Sequence, residues 1–71
     1  MTWEELKEEA KKMGGLPYTY NNGEEVIELD VGEDLEDSLD FHIGGQITFN
    51  LTRIAEHRTP DQMLAIMKAL Q

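Results

Sequence analysis

The stretch Leu16-Pro17-Tyr18-Thr19-Tyr20-Asn21-Asn22-Gly23-Glu24-Glu25-Val26-Ile27-Glu28-Leu29-Asp30-Val31 decides the fold. Leu16, Tyr18 and Tyr20 alternate with other residues, and so do Ile27, Leu29 and Val31. A period of two is the signature of a strand with one buried face. Asn22-Gly23 lies between the two runs and is a strong hairpin signal, because both residue types tolerate positive φ. A two-residue loop at 22–23 pairs Tyr20 with Glu25, Tyr18 with Ile27 and Leu16 with Leu29, which gathers the apolar side chains on one face. A loop one residue longer sets Leu16 opposite Glu28. Hydrophobic matching selects the shorter loop.

A second hairpin follows the same logic. Leu39, Phe41 and Ile43 alternate, as do Ile47, Phe49 and Leu51, with Gly44-Gly45 between them. A two-residue turn opposes Phe41 to Thr48 and mixes the faces. A three-residue loop, Gly44 to Gln46, pairs Ile43 with Ile47, Phe41 with Phe49 and Leu39 with Leu51, with room for a bulge.

Helices flank the hairpins. Thr2 and Glu5 stand at capping-box spacing, and Trp3, Leu6, Ala10 and Met13 recur on one helical face. Gly14-Gly15 ends this helix, predicted over about 3–13. Thr59-Pro60-Asp61-Gln62 opens another, with Thr as N-cap, Pro at the first helical position and Gln at the third. Met63, Ile66, Met67 and Leu70 form its buried stripe, so the methionines are core filler. Residues 53–58 either extend the last strand or connect it to the helix. The expected fold is α+β and one domain over 1–71: a helix, two hairpins forming a four-stranded antiparallel sheet, and a second helix. Both helices are expected on the apolar face of the sheet.

The chain has 71 residues, 15 Asp plus Glu, 6 Lys plus Arg, no Cys and a formal charge of −9. A domain this short buries only about 60% of its unfolded-state surface, so its stability is marginal. Without Cys, neither a disulfide nor a thiolate zinc site supplements it. No apolar run approaches the roughly 18 residues of a membrane span. The N-terminus carries acids at Glu4 and Glu5 and no apolar signal core, so it does not read as a secretory signal and the expected location is cytoplasmic. The negative charge opposes direct binding to nucleic acid phosphates and to anionic membranes.

That charge is localised. Residues 13–52 hold nine acids and neither Lys nor Arg, leaving six acids and six bases elsewhere. The net charge therefore belongs to Glu24–Asp40. Glu28, Asp30, Glu33, Asp34, Glu36, Asp37 and Asp40 are the candidate partner-binding residues. Charge at this density steers and complements a basic protein surface, and it resembles the charge of nucleic acid phosphates. The same acids also serve solubility and protect sheet edges from pairing. Tyr20, near the hairpin tip, is the candidate exposed aromatic anchor.

Other chemistry finds less support. Asp30-x-Gly-x-Asp34 opens like a calcium loop, but Leu35 and Phe41 stand where that loop needs Gly and a bidentate Glu. Asp40 and His42 lie two apart on a strand and point away from the core. No third ligand stands at a diagnostic spacing, so no metal site is expected. His42 and His57 are read as surface residues. Ser38 lies between acids and lacks the glycine elbow of a nucleophile. The six glycines match no phosphate or dinucleotide motif. A domain this small is expected to leave little room for a cavity of roughly 300 Å³. No catalytic residue and no cofactor is expected, and the chain is read as a non-enzyme. Asn50-Leu51-Thr52 matches the glycosylation pattern, which has no meaning in the cytoplasm. A self-associating homodimer is the alternative, since two protomers share a core that one barely fills.

The segments Thr2-Trp3-Glu4-Glu5-Leu6 and Arg58-Thr59-Pro60-Asp61-Gln62-Met63, with Ile66 and Ala69-Leu70, resemble the ends of short uncharacterised proteins carried by phages and prophages of gut Firmicutes. The resemblance spans roughly the first and last quarters of the chain and rests on helix-capping motifs. It implies a phage-accessory setting, in which small acidic proteins bind and inhibit host proteins. It carries no catalytic residues.

Overall fold

In a computed structural model, which describes residues 1–32 and 37–71, five strands form one antiparallel sheet in chain order. They are β1 (Leu16–Thr19), β2 (Glu25–Asp30), β3 (Ser38–His42), β4 (Ile47–Phe49) and β5 (Thr52–Ala55). Helix α1 (Trp3–Lys12) precedes the sheet and α2 (Pro60–Ala69) follows it. The chain is α+β, with one strand more than its hydrophobic pattern predicts.

Both helices begin as their sequences dictate. Thr2 and Glu5 make both bonds of a capping box, and so do Thr59 and Gln62. These reciprocal bonds satisfy amides that have no partner within the helix. Pro60 occupies the first turn of α2, where its missing N–H costs nothing.

The hairpin registers differ from those expected, for one physical reason. Both hairpins turn through three residues, and the third is a glycine in the left-handed region. In the first, Gly23 has φ 89° and its N–H donates to the Tyr20 carbonyl at 2.9 Å. The Tyr20 N–H then donates to the Glu24 carbonyl at 2.9 Å. The Asn22 side chain accepts from the Glu24 N–H, which closes the loop without placing Asn22 at positive φ. The result is the register that hydrophobic matching rejects: Leu16 faces Glu28, Tyr18 faces Val26 and Pro17 faces Ile27.

The second hairpin repeats the device. Its loop is Ile43–Gly45 rather than Gly44–Gln46. Gly45 has φ 99° and donates to the His42 carbonyl at 2.9 Å, while His42 N–H donates to the Gln46 carbonyl at 2.8 Å. Phe41 therefore faces Ile47 and Leu39 faces Phe49. This shift is by two residues, so each side chain keeps its face and Ile43 moves out into the loop. Gly45 also touches the chain leading to α2. Its carbonyl accepts from Arg58 N–H at 2.8 Å, and a β-carbon there would lie 3.2 Å from Arg58 backbone atoms.

The fifth strand arises from a turn disguised by its residues. Asn50 and Leu51 both have positive φ, 47° and 70°, and Phe49 faces Thr52 across them. Two consecutive positive φ values define the hairpin turn that normally carries glycine. With Leu at the second position, the alternation Ile47, Phe49, Leu51 reads instead as a continuing strand. A bulge between Ile47 and Thr48 then leaves Ile54 as the extra residue of β5.

Strand alternation sends Ile27, Leu29, Leu39, Phe41 and Ile47 to one face of the sheet. They form a single buried cluster with Leu6 and Ala10 of α1 and Met63 and Met67 of α2. The two methionines are core filler, as their spacing predicts.

The left-handed Leu51 side chain is 87% exposed, so its backbone strain is not offset by packing. Leu51→Gly is expected to raise stability by about 0.5 to 1 kcal/mol, the left-handed penalty less the entropy cost of glycine. Urea unfolding of the two proteins checks this; an unchanged or lower midpoint contradicts it.

Candidate functional site

The face of the sheet opposite the buried cluster carries the polar chemistry, and the one-residue slip of the first hairpin puts it there. Leu16, Glu28, Asp40, Thr48 and Arg53 form one cross-strand row. Tyr18, Val26 and His42 form the next. In the expected register the two tyrosines would have joined the core.

Asp40 and His42 point away from the core as predicted, yet they are buried, at 7% and 5% exposure. Neither is a surface residue. Tyr20 supplies much of the cover. Its hydroxyl donates to Asp40 Oδ2 at 2.6 Å, and its ring stands edge-on to Tyr18 and to His42. Tyr20 is thus half-buried and engaged rather than an exposed anchor; Tyr18 is the more exposed of the pair. Burial, then the hydrogen bond to Asp40, hold the Tyr20 phenol well above its ordinary pKa, so it remains a proton donor.

His42 is held on both sides. Nδ1 lies 2.9 Å from Glu24 Oε1 and Nε2 lies 3.0 Å from Thr48 Oγ1. A carboxylate only accepts, so Nδ1 carries a proton, and in the neutral ring Nε2 accepts from the Thr48 hydroxyl. Both nitrogens are therefore engaged within the chain. His57 is exposed.

Glu28 faces Asp40 directly across β2 and β3. Desolvation first, then the charges of Asp40 and Asp30, raise its pKa above the ordinary carboxylate value. Two adjacent acids would ordinarily recruit a base. Among the described residues none reaches them. Lys7 pairs with Glu4 and Glu25, Lys11 with Glu8, Lys12 with Glu9, and Arg53 with Glu56. Asp40 Oδ1 is buried without a hydrogen-bond partner among the described residues.

These acids border an open cleft of about 470 Å³, lined by Tyr18, Glu28, Ser38, Asp40, Asn50 and Leu51. The expectation that so small a domain leaves little room for a cavity of roughly 300 Å³ is corrected. The cleft exists because the Asn50–Leu51 turn stands over the start of β3. Asn50 Oδ1 accepts from Ser38 N–H at 3.3 Å, and Asn50 Nδ2 donates to Asp37 Oδ1 at 3.2 Å.

Of the predicted acidic residues, Glu28 and Asp40 are brought together. Asp30 is exposed one row away, opposite Ser38. Asp37 is tied to Asn50. Glu33, Asp34 and Glu36 lie outside the described residues. Tyr18, Asn50 and Leu51 escape prediction as site residues. The signal for Tyr18 was its shared parity with Tyr20, which the longer loop places beside Glu28 and Asp40.

Among the described residues, no group of three or more His, Cys, Asp and Glu is arranged to hold a metal ion. Among the same residues, no helix is long and apolar enough to cross a membrane. No family model matches the chain, and comparison with curated proteins and with solved structures found no match.

Two outcomes follow from this geometry. Tyr20→Phe removes the donor to a buried carboxylate and is expected to cost about 1.5 to 3 kcal/mol in urea unfolding. Glu28 has a folded pKa above its unfolded one, so the folded state binds its proton more tightly. Its contribution is therefore full below the ordinary carboxylate pKa of 4.5 and is lost as pH rises through the raised value. Glu28→Gln is accordingly expected to be the more stable protein at neutral pH, with the difference vanishing toward the acid limb. Thermal melts across pH compare the two; a difference that does not change with pH contradicts the coupling.

Proposed function

We propose that this protein is a non-catalytic module that binds a protein with a basic surface, one to one. The observation that carries this reading is the uncompensated pair Glu28–Asp40, on a chain whose acid-pairing Lys and Arg side chains face other acids. Both helices lie on the face of the buried cluster in this reading, which leaves the acidic face of β2 and β3 open to a partner. Carboxylates two apart on a strand repeat at about 6.6 Å, so Glu28 and Asp30 extend the charged surface along β2. Glu33, Asp34, Glu36 and Asp37 continue it in sequence. Such a surface suits a partner that otherwise holds nucleic acid phosphates, and the phage-accessory setting implied by the resemblance makes inhibition of a host protein in the cytoplasm the natural outcome.

The test is capture of partners from host lysate on the immobilised protein at low and high salt. A basic protein is expected to be retained at low salt and released at high salt, because pairing between exposed charges is screened within about a Debye length of 10 Å at 0.1 M. Reversal of Asp30, Glu33, Asp34, Glu36 and Asp37 to lysine is expected to abolish retention. Capture that ignores both salt and charge reversal sinks the proposal.

A second reading is self-association. It is favoured by the edge strand β5, where Ile54 is 58% exposed, and by the exposed Leu51 in the turn that precedes it. An unpaired apolar edge is a template for another strand. Sedimentation over a concentration series separates the two readings, since a monomer at high micromolar concentration removes this one.

A further inference from the structure

Resting on the partner-binding reading, we propose that the cleft beside Glu28 and Asp40 seats one arginine side chain of the basic partner. The carboxylate of Asp40 is the centre of the argument. It is 7% exposed, its Oδ2 takes the Tyr20 hydrogen bond, and its Oδ1 has no partner among the described residues. A buried carboxylate oxygen left unmet is unfavourable, and a cationic donor removes that penalty. Glu28 stands directly opposite, and among the described residues no Lys or Arg pairs with it. The single neutral donor from Tyr20 does not balance two acids, so the missing charge comes from outside the chain.

The lining selects the kind of cation. A hard divalent ion takes six or more oxygen ligands. Here the acids lining the cleft are Glu28 and Asp40, and among the described residues no third acid or His joins them. A guanidinium fits better. Its planar fork of five N–H donors serves both carboxylates at once, whereas an ammonium is a compact and strongly hydrated charge. Tyr18 lines the cleft, and an aromatic ring attracts a guanidinium. Leu51, exposed at the turn, covers the aliphatic stem. The cleft is open to solvent, so the side chain enters from the partner's surface. Tyr20 acts as a positioning residue, holding Asp40 for this contact.

The test follows amide resonances of the full chain during titration with Nα-acetyl-arginine amide. Saturable shifts are expected at Tyr18, Glu28, Ser38, Asp40, Asn50 and Leu51. Nα-acetyl-lysine amide is expected to bind the same residues more weakly. Loss of one charged contact by Asp40→Asn is expected to weaken arginine amide on the order of tenfold or more. Glu28→Gln is expected to weaken it as well, which keeps the test decisive if the first variant does not fold. Absence of saturable shifts overturns the proposal, as do equal binding of lysine amide and calcium chloride competing at the same residues. The two readings fail separately. A basic protein captured in a salt-sensitive manner, yet not displaced by arginine amide, overturns the cleft and leaves the acidic surface. Arginine amide bound in the cleft, with no basic protein captured from lysate, does the reverse.

Discussion

The left-handed glycine that closes each three-residue hairpin loop is the constraint on which the rest depends. Gly23 and Gly45 each occupy the third loop position, where a side chain would strain the backbone. Their positions count off the strands that follow. Because strand side chains alternate with a period of two, one residue of slip reassigns every side chain of a strand to the other face. At Gly23 that slip moves Leu16, Tyr18 and Tyr20 away from the buried cluster and beside Glu28, Asp40 and His42. At Gly45 the shift is by two, so the faces survive and only the partners change. A local φ preference thus outweighs the matching of Leu16 with Leu29.

Two layers of different chemistry result. One face of the sheet is a hydrophobic cluster shared with residues of both helices. The other is a hydrogen-bonded layer, in which Glu24, His42 and Thr48 form one chain and Tyr20 and Asp40 another. A polar layer of this kind is favourable only when its members are satisfied. Among the described residues one atom of this layer, Asp40 Oδ1, is not. Asp40 is among the residues lining the cleft that the Asn50–Leu51 turn completes. The unsatisfied oxygen, the raised pKa of Glu28 and the open cleft therefore share one location.

Charge distribution reinforces that asymmetry. The ion pairs of α1 join residues three apart along the helix, and Lys7 reaches across to Glu25. Such exposed pairs contribute little to stability, with a median of about 0 to 1 kcal/mol. Their consequence here is that Lys7, Lys11 and Lys12 are paired away from Glu28 and Asp40. Among the described residues, Glu28 of β2 and Asp40 of β3 pair with no Lys or Arg.

Much of this was legible in the chain itself. Both capping boxes, both helices, the two hairpins, the core role of Met63 and Met67 and the confinement of charge to 24–40 follow from contacts between residues near in sequence, where local chemistry decides. The fifth strand did not follow, because Leu51 sits in a turn that glycine would have announced. The cleft did not follow either, because its walls come from β1, β2, β3 and the Asn50–Leu51 turn, and only the register brings them together. Sequence by itself determined the elements and the location of the charge, since helix caps and strand periods act over a few residues. Tertiary structure alone decided which face Tyr20 occupies and that Asp40 and His42 are buried. Those outcomes depend on how separate strands align, and that alignment is set by the loops between them.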